Sequence, residues 1–352
     1  MPDVAEAFVS AMKTELLRPD DSGIERAAGL LRQGGLVAVP TETVYGLAAN
    51  ALDGRAVSKI FLAKGRPQDN PLIVHISSLE ELFPLVAAVP AEAEQLAKAY
   101  WPGPLTMIFQ KSSLIPQEVS AGLDTVAVRF PSHPVARRVI SMAGVPLAAP
   151  SANLSGSPSP TCARHVMDDM DGRIDAVLDG GSCDVGVEST VISMAARPFR
   201  LLRPGGITLE QLEAVLGKVE VDPAVLHKLE EGRRAASPGM KYKHYAPKAH
   251  VTLVKGESGG YADFVNGKGR ENTYALCFEE DVALLRVPHV CFGRRSEFDK
   301  QAQKLFFDLR ELDKKGAKEI YVHCPEATGV GLAVYNRLIR AAAFEIIDLS
   351  AP

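Results

Sequence analysis

The chain has 352 residues, 46% of them hydrophobic and 23% charged, an ordinary globular composition long enough for about two domains of ~150 residues. Its 39 Lys and Arg against 43 Asp and Glu leave a formal net charge of −4, which argues against a polybasic nucleic-acid coat. No apolar run reaches the ~18 residues of a membrane span, and the start, Met1-Pro2-Asp3-Val4-Ala5-Glu6, lacks the basic-then-apolar order of a secretory signal.

Residues 3–20 read as an irregular lead-in. Ser22-Gly23-Ile24-Glu25 is a capping-box pattern, and Ile24, Ala27, Ala28 and Leu31 recur at helical spacing until Gly34-Gly35 stops the helix. Leu36-Val37-Ala38-Val39 then reads as a buried strand halted by Pro40. A helix is predicted over 55–63, ended by Gly65 and Pro67, and a β-branched strand over 72–76. Further strands are predicted at 105–110, 125–130, 145–149, 176–179, 189–194 and 199–203, and helices at 91–100, 133–143, 161–170 and 208–216. Strands outnumber helices without strict alternation, so a twisted mixed sheet is expected over 1–216.

Character changes beyond residue 217. From Arg233 to Lys248 there are five Lys/Arg and no Asp/Glu, with Pro238, Gly239 and Pro247 as breakers, and 217–248 reads as an interdomain linker. After it come strands at 250–254, 273–278, 288–292, 319–323 and 344–349, with helices at 297–315 and 331–342. That alternation predicts a smaller, parallel, doubly wound Rossmann-like α/β domain over 249–352. The five cysteines, Cys162, Cys183, Cys277, Cys291 and Cys324, form no CxxC pair, so reduced thiols of a cytoplasmic protein are expected rather than a disulfide framework or zinc site.

Chemistry-bearing segments recur at predicted strand ends. Thr41-Glu42-Thr43-Val44-Tyr45-Gly46 follows the first strand, and its hydroxyls either satisfy their own turn or point into a ligand crevice at a sheet rim. Lys64-Gly65-Arg66-Pro67 through Asn70-Pro71 puts two cations on a Gly/Pro-fixed loop, suited either to solvent or to an anion. His75 sits in a strand, the usual place of a hydrogen-bonded core histidine. Pro150-Ser151-Ala152-Asn153-Leu154-Ser155-Gly156 offers backbone and side-chain donors, Arg129 ends a strand, Glu188-Ser189-Thr190 opens one and Arg203-Pro204-Gly205-Gly206 closes one. Together these describe a polar, cationic crevice. Asn336-Arg337 on the last helix reads as a solvated face or a functional patch. No GxxxxGK[ST] loop, strand-linked GxGxxG, HExxH or GxSxG is present, so a bound nucleotide would need a different scaffold.

These segments, in this order, resemble the YrdC-like family: Val39–Leu47, Lys64–Pro67 with Asn70–Ile76, Trp101–Thr106, Val128–Pro131, Pro150–Gly156 and Glu188–Val191. Ser237–Pro247 resembles the linker of the family's long two-domain form. The resemblance implies a YrdC-like catalytic domain that converts L-threonine, bicarbonate and ATP, with Mg²⁺, into L-threonylcarbamoyladenylate and pyrophosphate, in the cytoplasm and away from membranes. The product would pass to a downstream tRNA threonylcarbamoyl transferase. By motif, Lys64, Arg66, Ser151 and Asn153 would hold the phosphates as the catalytic set. Threonine would meet Thr43, His75, Arg129, Ala149 and Ser189. ATP would also meet Asn70, Thr125, Ser159, Arg203 and a linker tyrosine, Tyr245 in preference to Tyr242, with no metal held by protein side chains. The linker would close over ATP as a lid. Two rivals remain: weak RNA binding by the same concavity, and carbamoyl transfer as in hydrogenase-maturation relatives, whose CxxC pairs this chain lacks.

Overall fold

The computed structural model of the protein describes residues 13–228, 245–269 and 271–349. Its first sheet has eleven strands: β1 (Glu15–Leu17), β2 (Val37–Val39), β3 (Gly46–Asn50), β4 (Ile73–His75), β5 (Leu105–Gln110), β6 (Thr125–Arg129), β7 (Leu147–Ala148), β8 (Ala176–Leu178), β9 (Thr190–Ser193), β10 (Arg200–Arg203) and β11 (Glu220–Val221). Their order is β1-β8-β2-β3-β7-β4-β6-β5-β9-β10-β11, with parallel and antiparallel pairings interspersed, as expected for a mixed sheet.

Period-two alternation decides what each face does. Val74, Met107, Phe109, Val126 and Val128 point into the main core, which also holds Ile60 and Phe61 of helix α2 (Gly54–Lys64). On the other face Ile73, Ile108, Ala127, Val191 and Leu202 form a small apolar patch. Farther along, helices α1 (Asp21–Arg32) and α5 (Pro134–Ala143) cover the sheet through Ile24, Leu31, Val139 and Ile140. Helices α3 (Ala91–Tyr100), α4 (Gln117–Ser120), α6 (Ala163–Met170) and α7 (Leu209–Leu216) complete this part of the chain.

Three local expectations change. The lead-in is not wholly irregular, because Glu15–Leu17 pairs in parallel with β8; residues 1–12 lie outside the described residues. Helix α1 is capped by Asp20, whose carboxylate accepts from Gly23 N at 2.9 Å, so the Ser22 box is not the cap. Gly46–Asn50 is a buried strand that propensity hides: Gly-Leu-Ala-Ala-Asn has no β-branched residue, and its partners β2 and β7 supply the pairing.

The second sheet is wholly parallel, with β12 (His250–Lys255), β13 (Thr273–Cys277), β14 (His289–Cys291), β15 (Glu319–His323) and β16 (Ile346–Asp348) in the order β14-β13-β15-β12-β16. Helices α8 (Ser258–Gly267), α9 (Phe298–Lys314) and α10 (Gly331–Ala341) connect them, α8 escaping the sequence reading because it opens on Ser258-Gly259-Gly260. The first sheet continues to β11, so the described start of the predicted 217–248 linker still packs there. Residues 229–244, including Tyr242 and most of the predicted lid, lie outside the described residues.

The two parts meet at close range. A Cβ placed on Gly186, whose φ is +78°, would fall 2.3 Å from the Gln303 Cα and 2.5 Å from the Ala302 carbonyl oxygen of α9. Both obstacles are backbone, so little can yield. Gly186→Ala is therefore expected to cost about 1–3 kcal/mol, read as a lowered urea midpoint at unchanged secondary structure.

Candidate active site

The chemistry-bearing segments converge on a sheet face rather than a rim. β7 runs antiparallel to β4, so Ala149, following β7, bonds beside Ile73 at the start of β4, while His75 ends β4. The two strands therefore have no common carboxyl edge. Instead Ile73 and His75 share one face by alternation, and the register His75↔Arg129↔Thr106 extends that face across three strands. With the residues before β9 and the end of β10, this face lines a cleft of about 570 Å³, counting its open mouth.

Arg129, only 4% exposed, sits at one end of the cleft. Its Nε donates to Gly103 O at 3.3 Å, Nη1 to Thr43 Oγ1 at 2.8 Å, and Nη2 lies 2.7 Å from Glu42 Oε1. Two of five guanidinium N–H groups are thereby used in hydrogen bonds, while Nη2 faces Glu42 as an ion pair and has no hydrogen-bond partner among the described residues. Burial alone would raise the Glu42 carboxyl, but the Arg129 charge and hydrogen bond overcome it and hold the pKa below the ordinary value. Thr43 is held from two sides: its Oγ1 accepts from Arg129 Nη1 and lies 2.9 Å from Thr41 Oγ1, which itself donates to Val44 O at 2.6 Å and accepts from Thr43 N and Val44 N at 3.2 and 3.3 Å. His75 stands beside this group, and burial reinforced by the Arg129 charge pushes its pKa down to about 3.

At another wall, α2 ends at Gly65 (φ +60°), and Arg66 N closes the turn on Phe61 O at 2.9 Å. Arg66 thereby turns into the cleft, with Nη2 3.3 Å from both Asn70 O and Pro71 O. Lys64 does not line the cleft. Its ammonium is buried and donates to the Ser151 and Asn153 carbonyls at 2.5 and 2.6 Å, bracing the turn from behind. Burial, and then the Arg66 charge, hold its pKa well below the lysine range. The turn is also fixed by Ala152 N on Tyr45 O and Ser155 N on Lys64 O, which leaves Ser151 facing the cleft.

The third wall pairs Glu188 with Arg203. Arg203 Nε donates to Ser189 O at 3.0 Å and Nη2 to Ser189 Oγ at 3.1 Å, while Ser189 Oγ meets Thr106 Oγ1 at 2.7 Å. Glu188 Oε1 accepts from the Ser159 hydroxyl, and Oε2 accepts from Arg337 Nε at 2.9 Å. Burial opposes its charge, yet Arg337 and Arg203 keep its pKa below normal. Tyr245 (φ +64°, 5% exposed) completes the lining, its ring 5.4 Å from that of Phe306.

Of the residues singled out in the sequence, Thr43, Arg66, His75, Arg129, Ala149, Ser151, Ser189, Arg203 and Tyr245 line this one cleft. Lys64, Asn153 and Ser159 stand behind it, and so does Asn70, which is 1% exposed with both amide atoms lacking a hydrogen-bond partner among the described residues. Thr125 does not join them. It begins β6, four residues or about 13 Å from Arg129 at ~3.3 Å per residue. Arg337 and Asn336 are not a solvated face, being 0% and 2% exposed. Glu42 and Glu188 received no role from the sequence. Their signal was there, a lone carboxylate inside each otherwise hydroxyl-rich segment of a cationic set.

Comparison with known proteins identifies the family and the fold. Residues 29–205 match the Sua5/YciO/YrdC family model, described as telomere recombination, and residues 207–343 match that of the threonylcarbamoyl-AMP synthase C-terminal domain. The chain is 47% identical over 338 residues to a threonylcarbamoyl-AMP synthase of Pyrococcus abyssi, covering 94% of this chain and 97% of the relative. It is 45% identical to one of Bacillus subtilis, covering 95% and 97%. The structure of P. abyssi Sua5 complexed with L-threonine matches with a TM-score of 0.87 at 44% identity, over 96% of this chain and 99% of that one.

Two outcomes follow from the geometry. Arg129→Lys keeps the charge but loses the fork that engages Gly103, Thr43 and Glu42 together, so an anion bound there should weaken on the order of 100-fold, measured by calorimetry with a carboxylate ligand. Because His75 titrates at about 3 in the fold against about 6.5 in the unfolded chain, the unfolded state binds the extra proton between those values. Stability attributable to His75 is therefore full above about 6.5 and falls as pH drops toward about 3. His75→Asn should lose less stability than the parent between pH 6.5 and 4 in urea titrations.

Proposed function

This chain belongs to the Sua5/YciO/YrdC family in its two-domain form, and on that premise we propose that it makes threonylcarbamoyl-AMP. L-Threonine, bicarbonate and ATP are joined into L-threonylcarbamoyladenylate with release of pyrophosphate. The product supplies the threonylcarbamoyl group that a separate transferase places on adenosine 37 of ANN-decoding tRNAs. The observation that carries the reading is the single cleft in which an Arg–hydroxyl pocket suited to an amino acid adjoins further arginines suited to phosphates.

The assignments follow from the donors left over at each wall. The Arg129 N–H groups not engaged by Gly103 and Thr43 match a threonine carboxylate, and the Thr43 hydroxyl lining the same cleft is assigned to its amine. His75, held neutral, adds no competing charge beside that amine, and Ala149 offers a methyl-sized wall to the side chain. The neutral amine adds to bicarbonate to form a carbamate with loss of water, and a carbamate oxygen displaces pyrophosphate at the α-phosphorus. Arg66, Arg203 and the Ser151 turn take the phosphate charge, as fixed donors that need no reorganisation. Asn70, buried behind the cleft with both amide atoms unpartnered among the described residues, is assigned to a polar group of the nucleotide. Bound substrates that exclude water from the cleft protect the carbamate from decarboxylation.

Mg²⁺ is proposed to arrive on the triphosphate. Among the described residues no group of three His, Cys, Asp or Glu could cage a metal, and the lining carboxylate, Glu188, already serves Arg337 and Ser159. That donor set fits a cation held chiefly by phosphate oxygens and water, which offsets their charge when bound. No helix of the described residues is long and apolar enough to cross a membrane, and the proposed site of action is the cytoplasm.

The decisive assay supplies ATP, bicarbonate and Mg²⁺ with one amino acid at a time and reads pyrophosphate. Threonine should drive release, and serine, lacking one methyl, should be about 10–200-fold poorer in kcat/KM. Release without an amino acid, or equal rates with all of them, would overturn the reading.

A further inference from the structure

We propose that Arg337, carried on α10 of the second domain, is a positioning residue for ATP in the first domain's cleft, an inference that rests on the reaction assigned above. Arg337 meets the cleft lining at Glu188 and Tyr245 and does not itself line it, so its effect is indirect. Its side chain is fully buried. Nε donates to Glu188 Oε2 at 2.9 Å and Nη2 to the Glu188 carbonyl at 3.3 Å, while Nη1 donates to Pro204 O at 2.7 Å and to Asn336 Oδ1 at 3.0 Å. One planar fork thus ties the start of β9 to the end of β10. The guanidinium carbon also lies 5.6 Å from the Tyr245 ring centroid.

Two neighbours on the same helix fix the fork in turn. Asn336 Nδ2 donates to Val225 O and Arg340 Nη2 to Ala224 O, each at 2.6 Å. Through Glu188 the effect reaches the Ser159 hydroxyl on the far oxygen of the carboxylate. Glu188 and Tyr245, and through Glu188 the Ser159 hydroxyl, therefore meet a side chain carried by a helix of the other domain. The Arg129 end differs: its partners Gly103, Thr43 and Glu42 all belong to the first domain, and none touches Arg337.

A purely adhesive role fits poorly. Buried ion pairs are weak glue, since replacing both partners by apolar groups of similar volume is often neutral or stabilising. What such a pair provides is a fixed oxygen position. Here the carboxylate so fixed also holds the Ser159 hydroxyl through its other oxygen.

The test uses the full-length chain with Arg337→Met, Arg337→Lys, Ser159→Ala and the Arg337→Lys/Ser159→Ala double variant. Calorimetry measures a non-hydrolysable ATP analogue and L-threonine separately, beside steady-state pyrophosphate release and thermal midpoint. Arg337→Met should weaken the ATP analogue and raise KM for ATP at least tenfold, leaving the threonine Kd within twofold. Arg337→Lys should be intermediate, because it keeps the charge without the fork. Its effect and that of Ser159→Ala should be less than additive, since both act through Glu188. Should Arg337→Met fail to fold, the Lys and Ser159 variants still close the cycle. Unchanged ATP binding, equal loss of both ligands, or strict additivity would each sink the proposal. Absence of threonine-driven pyrophosphate release in the parent chain would instead fall on the assigned reaction, because coupling of Arg337 to ATP is read by binding alone.

Discussion

Guanidinium groups buried before any anion arrives are the constraint around which this molecule is arranged. Arg129 and Arg203 are 4% and 6% exposed, and an uncompensated buried charge costs several kcal/mol. Each is therefore met by oxygens of the protein: Arg129 by Glu42, Thr43 and Gly103, Arg203 by both oxygens of Ser189. The compensation is partial in the useful sense. It keeps the arginines charged and aimed, and leaves N–H groups unspent for a ligand, so the cleft is preorganised for anions rather than collapsed on itself.

The sheet makes that arrangement affordable. Its strands run in mixed directions, so segments far apart in the chain reach one face from opposite ends. Alternation then sends Val74, Val126 and Val128 into the apolar core and His75, Ala127 and Arg129 to the other side, so one set of strands builds the hydrophobic support and the polar cleft together. The turns are fixed by backbone bonding and by Lys64, whose buried Nζ donates to two carbonyls. Mobility at Ser151 is thus restrained by the fold itself.

The second domain closes the arrangement from outside. Arg310 of α9 forms a two-point contact with Asp169 at 3.0 and 2.7 Å and donates to Pro158 O at 2.6 Å, while Asp169 also accepts from Leu154 N. With Arg337 on α10 reaching Glu188, two helices of the parallel domain fasten loops on which the cleft depends. Gly186 permits this by letting its backbone lie against that of α9.

Much of this was legible from residues alone. Strand and helix alternation gave the parallel second domain, and the clustering of hydroxyls, arginines and a Gly/Pro-fixed loop gave a cationic crevice, because local propensity and composition act over a few residues. The short strand Gly46–Asn50 was not legible, since Ala and Gly become strand only when neighbours supply the hydrogen bonds. Nor was the crevice's seat on a face, which follows from strand direction, nor the roles of Lys64, Glu42, Glu188 and Arg337. A charged side chain looks the same in sequence whether it meets water, a ligand or a buried counter-charge. The sequence by itself determined the two-domain α/β plan and the chemistry on offer. Only the tertiary structure decided which charges are spent on one another and which remain for substrate, because burial and pairing are set by contacts between residues as far apart as Glu188 and Arg337.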